Sequence, residues 1–591
     1  MDSHTHNQIV NFIWSIADDC LRDVYVRGKY RDVILPMTVI RRLDAVLEST
    51  KQAVLDMKVK LDQAGVKEQD AALCNTAGQS FCNWSPFRLK DLTSRATPQK
   101  LKADFIAYLD GFSPNVQEIL EKFKFRHQID TMIEAGILGS VIEKFVDPHM
   151  GVTQLDNHAM GTVFEELIRR FNEENNEEAG EHFTPRDVVE LMADLIFKPI
   201  ADDIKDATYT VYDGASGTGG MLTVSQDRLL ELSKKKGRHV SIHLFGQEIN
   251  PETYAITRAD MLLKGEGSEA DNIAFGSTLS ADGFPSRQFD FMLSNPPYGK
   301  SWKVDADKMG GKKGITDTRF VTSFADDPEY GMLPRVSDGQ LLFLLNNVSK
   351  MKEGTALGSR IAEVHNGSSL FTGDAGSGES NARRYLIERD LVEAIIALPE
   401  NMFYNTGIGT YIWVLSNRKE ERRRGKIQLI DATALKSPLR KNLGKKNCEL
   451  TPDIRRRIMG LFTAFEENEY SKIFDNSAFG YWKVTVLRPV LDENGKPERD
   501  KKGKLIADKE TDTEQIPLDH PGGIDAFIRD EVLPYAPDAW VDKKKTQIGY
   551  EISFTKHFYK PVQLRPLAEI IADIRALEAE TEGLLEEVLS E

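Results

Sequence analysis

The sequence predicts an α/β fold. A parallel, doubly wound sheet is preceded by an all-helical domain and followed by a helical tail. Three observations carry this. Over residues 1–150 the stretches Asn11–Ala17 and Val33–Leu43 place apolar residues at three- and four-residue steps, glycine is sparse, and no alternating strand pattern stands out. Over residues 151–490 short apolar runs alternate with helical stretches: Tyr209–Tyr212, Ile242–Phe245, Phe289–Leu293, Ala394–Leu398 and Tyr411–Leu415. That alternation implies βαβ units and a parallel sheet. Over residues 491–591 the chain turns charged, as in Asp492-Glu493-Asn494-Gly495-Lys496. It ends with Leu567, Ile570, Ile574, Leu577, Thr581, Leu584 and Val588 at heptad spacing, a seam broken only at Thr581 and flanked by acids. Such a helix either packs back on its own domain or meets a partner.

Length and composition set bounds. A chain of 591 residues exceeds what one core supports and suggests two to four domains. Its 40% hydrophobic and 28% charged content is ordinary for a soluble protein. The start, Met1-Asp2-Ser3-His4-Thr5-His6, lacks a basic stretch followed by an apolar one, and no apolar run spans a bilayer. A cytoplasmic protein without a membrane partner is expected. Cys20, Cys74, Cys82 and Cys448 form no CxxC pair, so free thiols are expected and no metal site. A net charge of −16 argues against coating DNA unaided, though it leaves room for a basic groove or a basic partner.

The first chemical motif is Asn295-Pro296-Pro297-Tyr298, directly after the apolar run that starts at Phe289. Ligands of open α/β sheets bind beyond the carboxyl ends of the strands. Two prolines cannot continue a ladder, so the chain turns there. The Asn295 amide oxygen and the Pro296 carbonyl can then accept from one amino group, with the Tyr298 ring beside it for stacking. These residues resemble the motif of amino-methyltransferases that modify adenine N6: Asp, Asn or Ser, then two prolines and an aromatic.

The second motif, Asp213-Gly214-Ala215-Ser216-Gly217-Thr218-Gly219-Gly220, follows the run Tyr209–Tyr212. Glycines at a strand-to-helix turn admit a ligand close to the backbone. Glu248 follows the next apolar run, where a carboxylate can bind both hydroxyls of a ribose. The acid precedes the glycines, so a dinucleotide fingerprint fits less well. The arrangement looks like S-adenosylmethionine binding, with Asp213 near the methionine part and Glu248 on the ribose. Ala215, Ser216, Gly217, Gly219 and Gly220 are the accompanying cofactor candidates.

Two further elements complete the set. Gly180-Glu181-His182-Phe183-Thr184-Pro185-Arg186-Asp187 leads into an apolar helix. Thr184 with Asp187 resembles a capping box, and Pro185 suits a first helical turn. Such a helix start can hold the cofactor's carboxylate, making Glu181, Phe183 and Thr184 candidates; His182 is assigned no catalytic role. Leu398-Pro399-Glu400-Asn401-Met402-Phe403-Tyr404 precedes the run Tyr411–Leu415. Enzymes acting on a flipped base often sandwich it between aromatics, so Phe403 is the second stacking candidate, with Tyr404 as the alternative.

In this order the elements resemble the gamma-type N6-adenine methyltransferases. The closer resemblance is to the modification (M) subunit of type I restriction-modification systems, HsdM. It extends to Lys29–Pro36, Arg41–Asp44, Gly161–Ile168 and Ile548–Phe554, and so covers most of the chain. The family often carries Pro and Cys where Gly214 and Ser216 stand, and an acid or Asn within Gly276–Leu279, where Ser277 stands. Thr278 is the cofactor candidate of that segment; which group holds the cofactor's adenine stays open. The resemblance implies a Rossmann-like, S-adenosylmethionine-dependent methyltransferase sheet and site-specific DNA adenine-N6 methylation without a metal. It also implies double-stranded DNA, a specificity (S) subunit shared by two M subunits, and a restriction (R) subunit as partners. The basic runs Arg422-Arg423-Arg424 and Lys543-Lys544-Lys545 lack interleaved aromatics and read as solvated turns or phosphate contacts. Three alternatives stand beside this reading: a stand-alone adenine methyltransferase with its own reader, a methyltransferase of a protein glutamine, and a scaffold without catalysis.

Overall fold

The N-terminal helices form because their apolar residues fall on one stripe. In α1 (Ser3–Cys20), Ile9, Val10, Ile13, Ile16 and Ala17 are buried at three- and four-residue steps. In α2 (Arg31–Leu47), Val33 to Leu43 are all buried, Arg41 and Arg42 included. Pro36 removes one N–H from that helix, and the Thr38 hydroxyl donates back to the Ile34 carbonyl at 2.7 Å. Further helices follow at Lys51–Gln63, Asp70–Ala77 and Pro98–Asp110, then α3 (Pro114–Lys122), Arg126–Glu134, Leu138–Phe145 and α4 (Met160–Asn175). Helix Pro98–Asp110 starts with proline in its first turn and Thr97 capping Lys100 N–H. The computed structural model describes residues 3–95, 97–148, 160–175, 183–265, 267–404, 406–493, 495–559 and 566–590. Glu181 and His182 lie outside the described residues.

The central sheet comprises β1 (Thr208–Asp213), β2 (Ser241–Glu248), β3 (Ile273–Phe275), β4 (Phe291–Ser294), β5 (Arg360–Asn366), β6 (Val392–Ala397), β7 (Thr410–Ser416), β8 (Lys426–Asp431) and β9 (Ser471–Asp475). They lie in the order β9-β8-β6-β7-β5-β4-β1-β2-β3. Strands β4 and β6 are buried at every residue, as expected for central strands covered on both faces. The sheet is mixed, which corrects the parallel expectation. β7 runs antiparallel to both β5 and β6, and β9 antiparallel to β8. For β7 the reason is the connection from β6: the described residues between 398 and 409 contain no helix to carry the chain back across the sheet. Phe289 is not a strand residue either. It makes an isolated bridge to Met351, and β4 starts at Phe291.

Helices α5 (Arg186–Phe197), α6 (Gly220–Lys235) and α7 (Pro251–Leu263) flank the strands that carry the motifs, and α7 packs on α3 of the N-terminal region. There the Tyr254 hydroxyl donates to Glu118 at 2.7 Å and Arg258 pairs with Glu118 and Asp271. A second, antiparallel sheet pairs Gly480–Leu487 with Asp512–Pro517, Trp540–Val541 and Gln547–Tyr550. It runs across residue 490, where composition placed a boundary, because the described residues between Leu487 and Asp512, charged and mostly exposed, join two strands of one sheet. The chain forms two units, Met1–Ile552 and Ser553–Glu591. In the second, helix Leu567–Ser590 shows Leu567, Ile570, Ile574 and Leu577 exposed along the expected seam. Thr581, Leu584 and Val588 lie outside the residues whose side chains are described. Among the described residues, no helix is long and apolar enough to cross a membrane.

Asp44 ties the N-terminal helices together. Its Oδ1 accepts from the Tyr108 hydroxyl at 3.0 Å and from Leu89 N–H at 3.1 Å, and Arg41 lies 3.4 Å from Oδ2. Tyr108 and Leu89 are fully buried. Asp44→Ala therefore leaves two buried donors unpaired, at roughly 1–3 kcal/mol each. The expected outcome is a lower denaturant midpoint with an unchanged slope.

Candidate functional site

Strands β1, β2 and β4 run in one direction, so Asp213, Glu248 and Ser294 end on the same edge of the sheet. The turn after β1 needs glycine: Gly217 and Gly219 sit at φ +54° and +80°, and Gly219 precedes the first residue of α6. Thr257 of α7 fastens the turn by donating to the Gly217 carbonyl at 2.7 Å.

Each carboxylate is held by that turn. Asp213 Oδ1 accepts from Ala215 N–H at 2.9 Å and from the Ser294 hydroxyl at 2.8 Å. Burial pushes the Asp213 carboxyl up from 3.8 to about 7, against these two hydrogen bonds, and Glu248 and Glu363 add to the rise. Glu248 accepts from Gly217 N–H and Asn250 N–H, one on each oxygen, both at 2.7 Å. Thr278 donates to the Gly214 carbonyl, and Arg319 grips the Thr278 and Leu279 carbonyls at 2.8 and 2.7 Å. Ser277 folds its hydroxyl back onto Leu279 N–H at 3.2 Å.

Beyond β4, Asn295 donates through Nδ2 to the Thr184 hydroxyl at 3.0 Å. Its Oδ1 is buried and has no hydrogen-bond partner among the described residues. Pro296 is buried, and Pro297 and Tyr298 are half-buried, with the Tyr298 ring packed against the core. The segment after them is clamped. Asp338 accepts from Gly299 N–H at 3.1 Å, and Trp302 donates from its ring to the Arg335 carbonyl at 3.0 Å. Gln340, Asn366 and Ser368 close a network around Asp338 at 2.6–2.8 Å.

Two cavities meet at Ala215 and Asn295. One is bounded by Glu165, Phe183, Thr184, Arg186, Asp213 and Ser216. The other, about 320 Å³, is bounded by Glu248, Ile249, Ser277, Thr278, Leu279, Pro297, Trp302 and Phe343. Of the described sequence candidates, Phe183, Thr184, Asp213, Ser216 and Gly220 line the first cavity, Gly217, Glu248, Thr278 and Pro297 the second, and Ala215 and Asn295 both, whereas Gly219, Pro296, Tyr298 and Phe403 line neither. Among the described residues, no three His, Cys, Asp or Glu side chains are grouped to hold a metal.

Three expectations need correction. The Thr184–Asp187 capping box does not form. Pro185 precedes α5 with no side-chain cap, and Asp187 instead accepts from Leu450 N–H at 2.7 Å and from Lys446 at 3.3 Å. Phe403 is 1% exposed and belongs to the hydrophobic core, so its ring offers no face to a base. Tyr404 is half-buried, with its ring centroid 5.1 Å from that of Phe183. In the run Arg422–Arg424, Arg423 is buried, 3.5 Å from Glu393 and capping the Phe462 carbonyl, rather than solvated. Sequence reasoning missed the roles of Ser294, Ile249 and Glu165. Ser294 precedes the Asn295 motif directly and Ile249 follows Glu248, so adjacency was the available signal for both.

The raised Asp213 carboxyl has a pH consequence. Its folded value of about 7 exceeds the ordinary 3.8, so the folded chain keeps a proton that the unfolded chain releases. Stability is therefore lost as pH rises from about 4 to 7 and then levels. Asp213→Asn keeps an oxygen for Ala215 and Ser294 and removes the buried charge. Thermal melts should show this variant with a flatter profile over that window and a higher Tm than wild type at pH 8.

With this geometry in place, comparison with known proteins is informative. The family model described as N-6 DNA Methylase matches residues 155–479, more than half of the chain, and that of the HsdM N-terminal domain matches residues 9–145. The type I restriction enzyme MjaIX methylase subunit of Methanocaldococcus jannaschii is 22% identical over 513 residues, covering 83% of this chain and 84% of its own length. The MpnII methylase subunit of Mycoplasma pneumoniae is 31% identical over 356 residues, 58% of this chain and 59% of its own length. The type I restriction-modification system methyltransferase subunit from Streptococcus thermophilus has the same fold, with a TM-score of 0.59 and 20% identity over 80% of this chain and 96% of that one. With the motif residues gathered at one edge of such a sheet, the chain belongs to the N-6 DNA methylase family.

Proposed function

We propose that this chain is the methyl-transferring subunit of a type I restriction-modification system, acting on adenine N6 in DNA with S-adenosylmethionine as methyl donor. The observation that carries the proposal is the buried, unpartnered Asn295 Oδ1 at the junction of the two cavities. A buried acceptor without a donor is costly unless a ligand supplies one.

The residues fit the cofactor. A carboxylate offers about four acceptor positions, and Glu248 uses two on backbone N–H groups, leaving capacity for ribose hydroxyls. Ile249, 58% exposed, and Leu279 give that cavity apolar walls suited to an adenine ring. Asp213 and the turn glycines hold the methionine part. When bound, S-adenosylmethionine supplies an electrophilic methyl on a sulfonium.

The chain's residues act on the base. The lone pair of adenine N6 is delocalised into the ring and is a poor nucleophile. Asn295 Oδ1 and the Pro296 carbonyl accept its two N–H bonds, favour a pyramidal nitrogen, and stabilise the positive charge that develops on it. The clamp from Asp338 holds the turn in place, so the dipoles are oriented before the base arrives. No strong general base is needed, because the methylated ammonium is acidic and sheds its proton to solvent. The Tyr298 ring stacks on the base. Tyr404, beside Phe183, forms the second aromatic wall, and Phe403 supports the loop from below.

Partners follow from the same reading. The chain is acidic, and Arg423 is engaged internally, so DNA sequence is read by a specificity subunit. Two methylating subunits flank each specificity subunit, and a restriction subunit completes the system.

Three variants test this. With a specificity subunit present, Asn295→Ala should abolish labelled-methyl incorporation into DNA while calorimetric affinity for S-adenosylmethionine stays within a few-fold. Retained incorporation by this variant would overturn the mechanism. Phe403→Ala should chiefly lower stability, by about 3–5 kcal/mol for a buried ring. Tyr404→Ala should instead raise KM for DNA with little change in Tm, and the reverse pattern would return the stacking role to Phe403.

A further inference from the structure

The cavity on the Asp213 side contains a carboxylate that neither the glycine turn nor the Asn295 turn explains. Glu165 lies in α4, ahead of both, and its side chain borders the cavity with Thr184, Arg186 and Asp213. Its carboxylate presses on the start of α6: a Cβ on Gly220 would stand 2.7 Å from Glu165 Oε1. Glycine at that position is what admits it.

The other acids around it have partners. Glu166, next in sequence, is held by Arg169 and Arg170 at 2.6–3.0 Å, and Asp260 by Lys264 at 2.6 Å. Glu165 accepts no hydrogen bond and pairs with no cation among the described residues. Arg186 is felt only at a distance and lies 3.7 Å from Glu190 instead. Desolvation raises the Glu165 carboxyl to about 7, as expected for an acid facing a cavity with no counter-charge in contact. The cavity end therefore combines two acids, Glu165 and Asp213, with one guanidinium, Arg186. The complementary ligand carries an ammonium next to a carboxylate, which is an α-amino acid.

We propose that Glu165 is a specificity residue for the amino-acid end of the cofactor, its carboxylate accepting from the α-ammonium across from Asp213. The proposal rests on the S-adenosylmethionine reading above. It makes α4 part of the cofactor site.

Calorimetry on the full chain with two probes tests it. S-adenosylhomocysteine carries the α-ammonium; 5′-methylthioadenosine has the same nucleoside and thioether without the amino-acid group. Glu165→Gln, which keeps the shape and removes the charge, should weaken S-adenosylhomocysteine by roughly tenfold to a hundredfold. Affinity for 5′-methylthioadenosine should stay within twofold. An unchanged ratio of the two affinities, or an equal loss of both, overturns the assignment of Glu165. Failure of the wild-type chain to bind either probe would instead overturn the cofactor reading itself, so the two failures are distinct.

Discussion

The Asp213 carboxylate, shut away from water between β1 and β4, is the constraint on which the site depends. One of its oxygens accepts from the turn after β1 and from Ser294 at the end of β4. The two turns that carry the chemistry are thereby fixed to each other by a single acceptor. Burial raises the carboxyl to about 7, so the arrangement opposes stability at neutral pH. The same low dielectric strengthens every dipole aimed at a ligand there. Glu248 repeats the device one strand away, locking the far side of the glycine turn through Gly217.

Much of this architecture was legible in the sequence, for physical reasons. Strands buried on both faces must be apolar runs, so β1, β2, β4, β6 and β7 announced themselves. Polar or glycine-rich residues just past such runs fall on one edge when the strands are parallel, which is why the sequence alone groups Asp213, Glu248 and Asn295. Strand direction was not legible from the runs themselves. The connection between Ala397 and Thr410 carried the missing signal, since its described residues contain no helix to return the chain for a parallel strand. Long-range partners were also hidden. Asp187 looked like a local cap but serves Leu450 and Lys446, more than 250 positions away. Phe403 and Tyr404 are adjacent aromatics, one buried and the other half-buried, a choice made by packing alone.

Glu165 marks a different limit. Helical periodicity separates a buried face from an exposed one, and a glutamate at a partly buried position reads as a salt bridge in waiting. Its neighbour Glu166 is such a bridge. Only the tertiary placement of α4 against Gly220 separates the two residues.

Satisfied and unsatisfied polar groups divide along functional lines around this cavity. The supporting network is saturated: Asp338, Gln340, Asn366 and Ser368 bond to one another and to Gly299 N–H. Such a network resists movement because each broken bond leaves a buried group unpaired, at about 1–3 kcal/mol. The groups that face the cavity are not saturated: among the described residues Asn295 Oδ1 has no donor, and Glu165 has no counter-charge in contact. Rigid support behind and open valences in front is what a preorganised site requires. If the unsatisfied groups could relax onto protein partners, binding would first have to break those contacts, and the dipoles would no longer be poised for the base. The strain left in the cavity is therefore tied to the chemistry proposed for it.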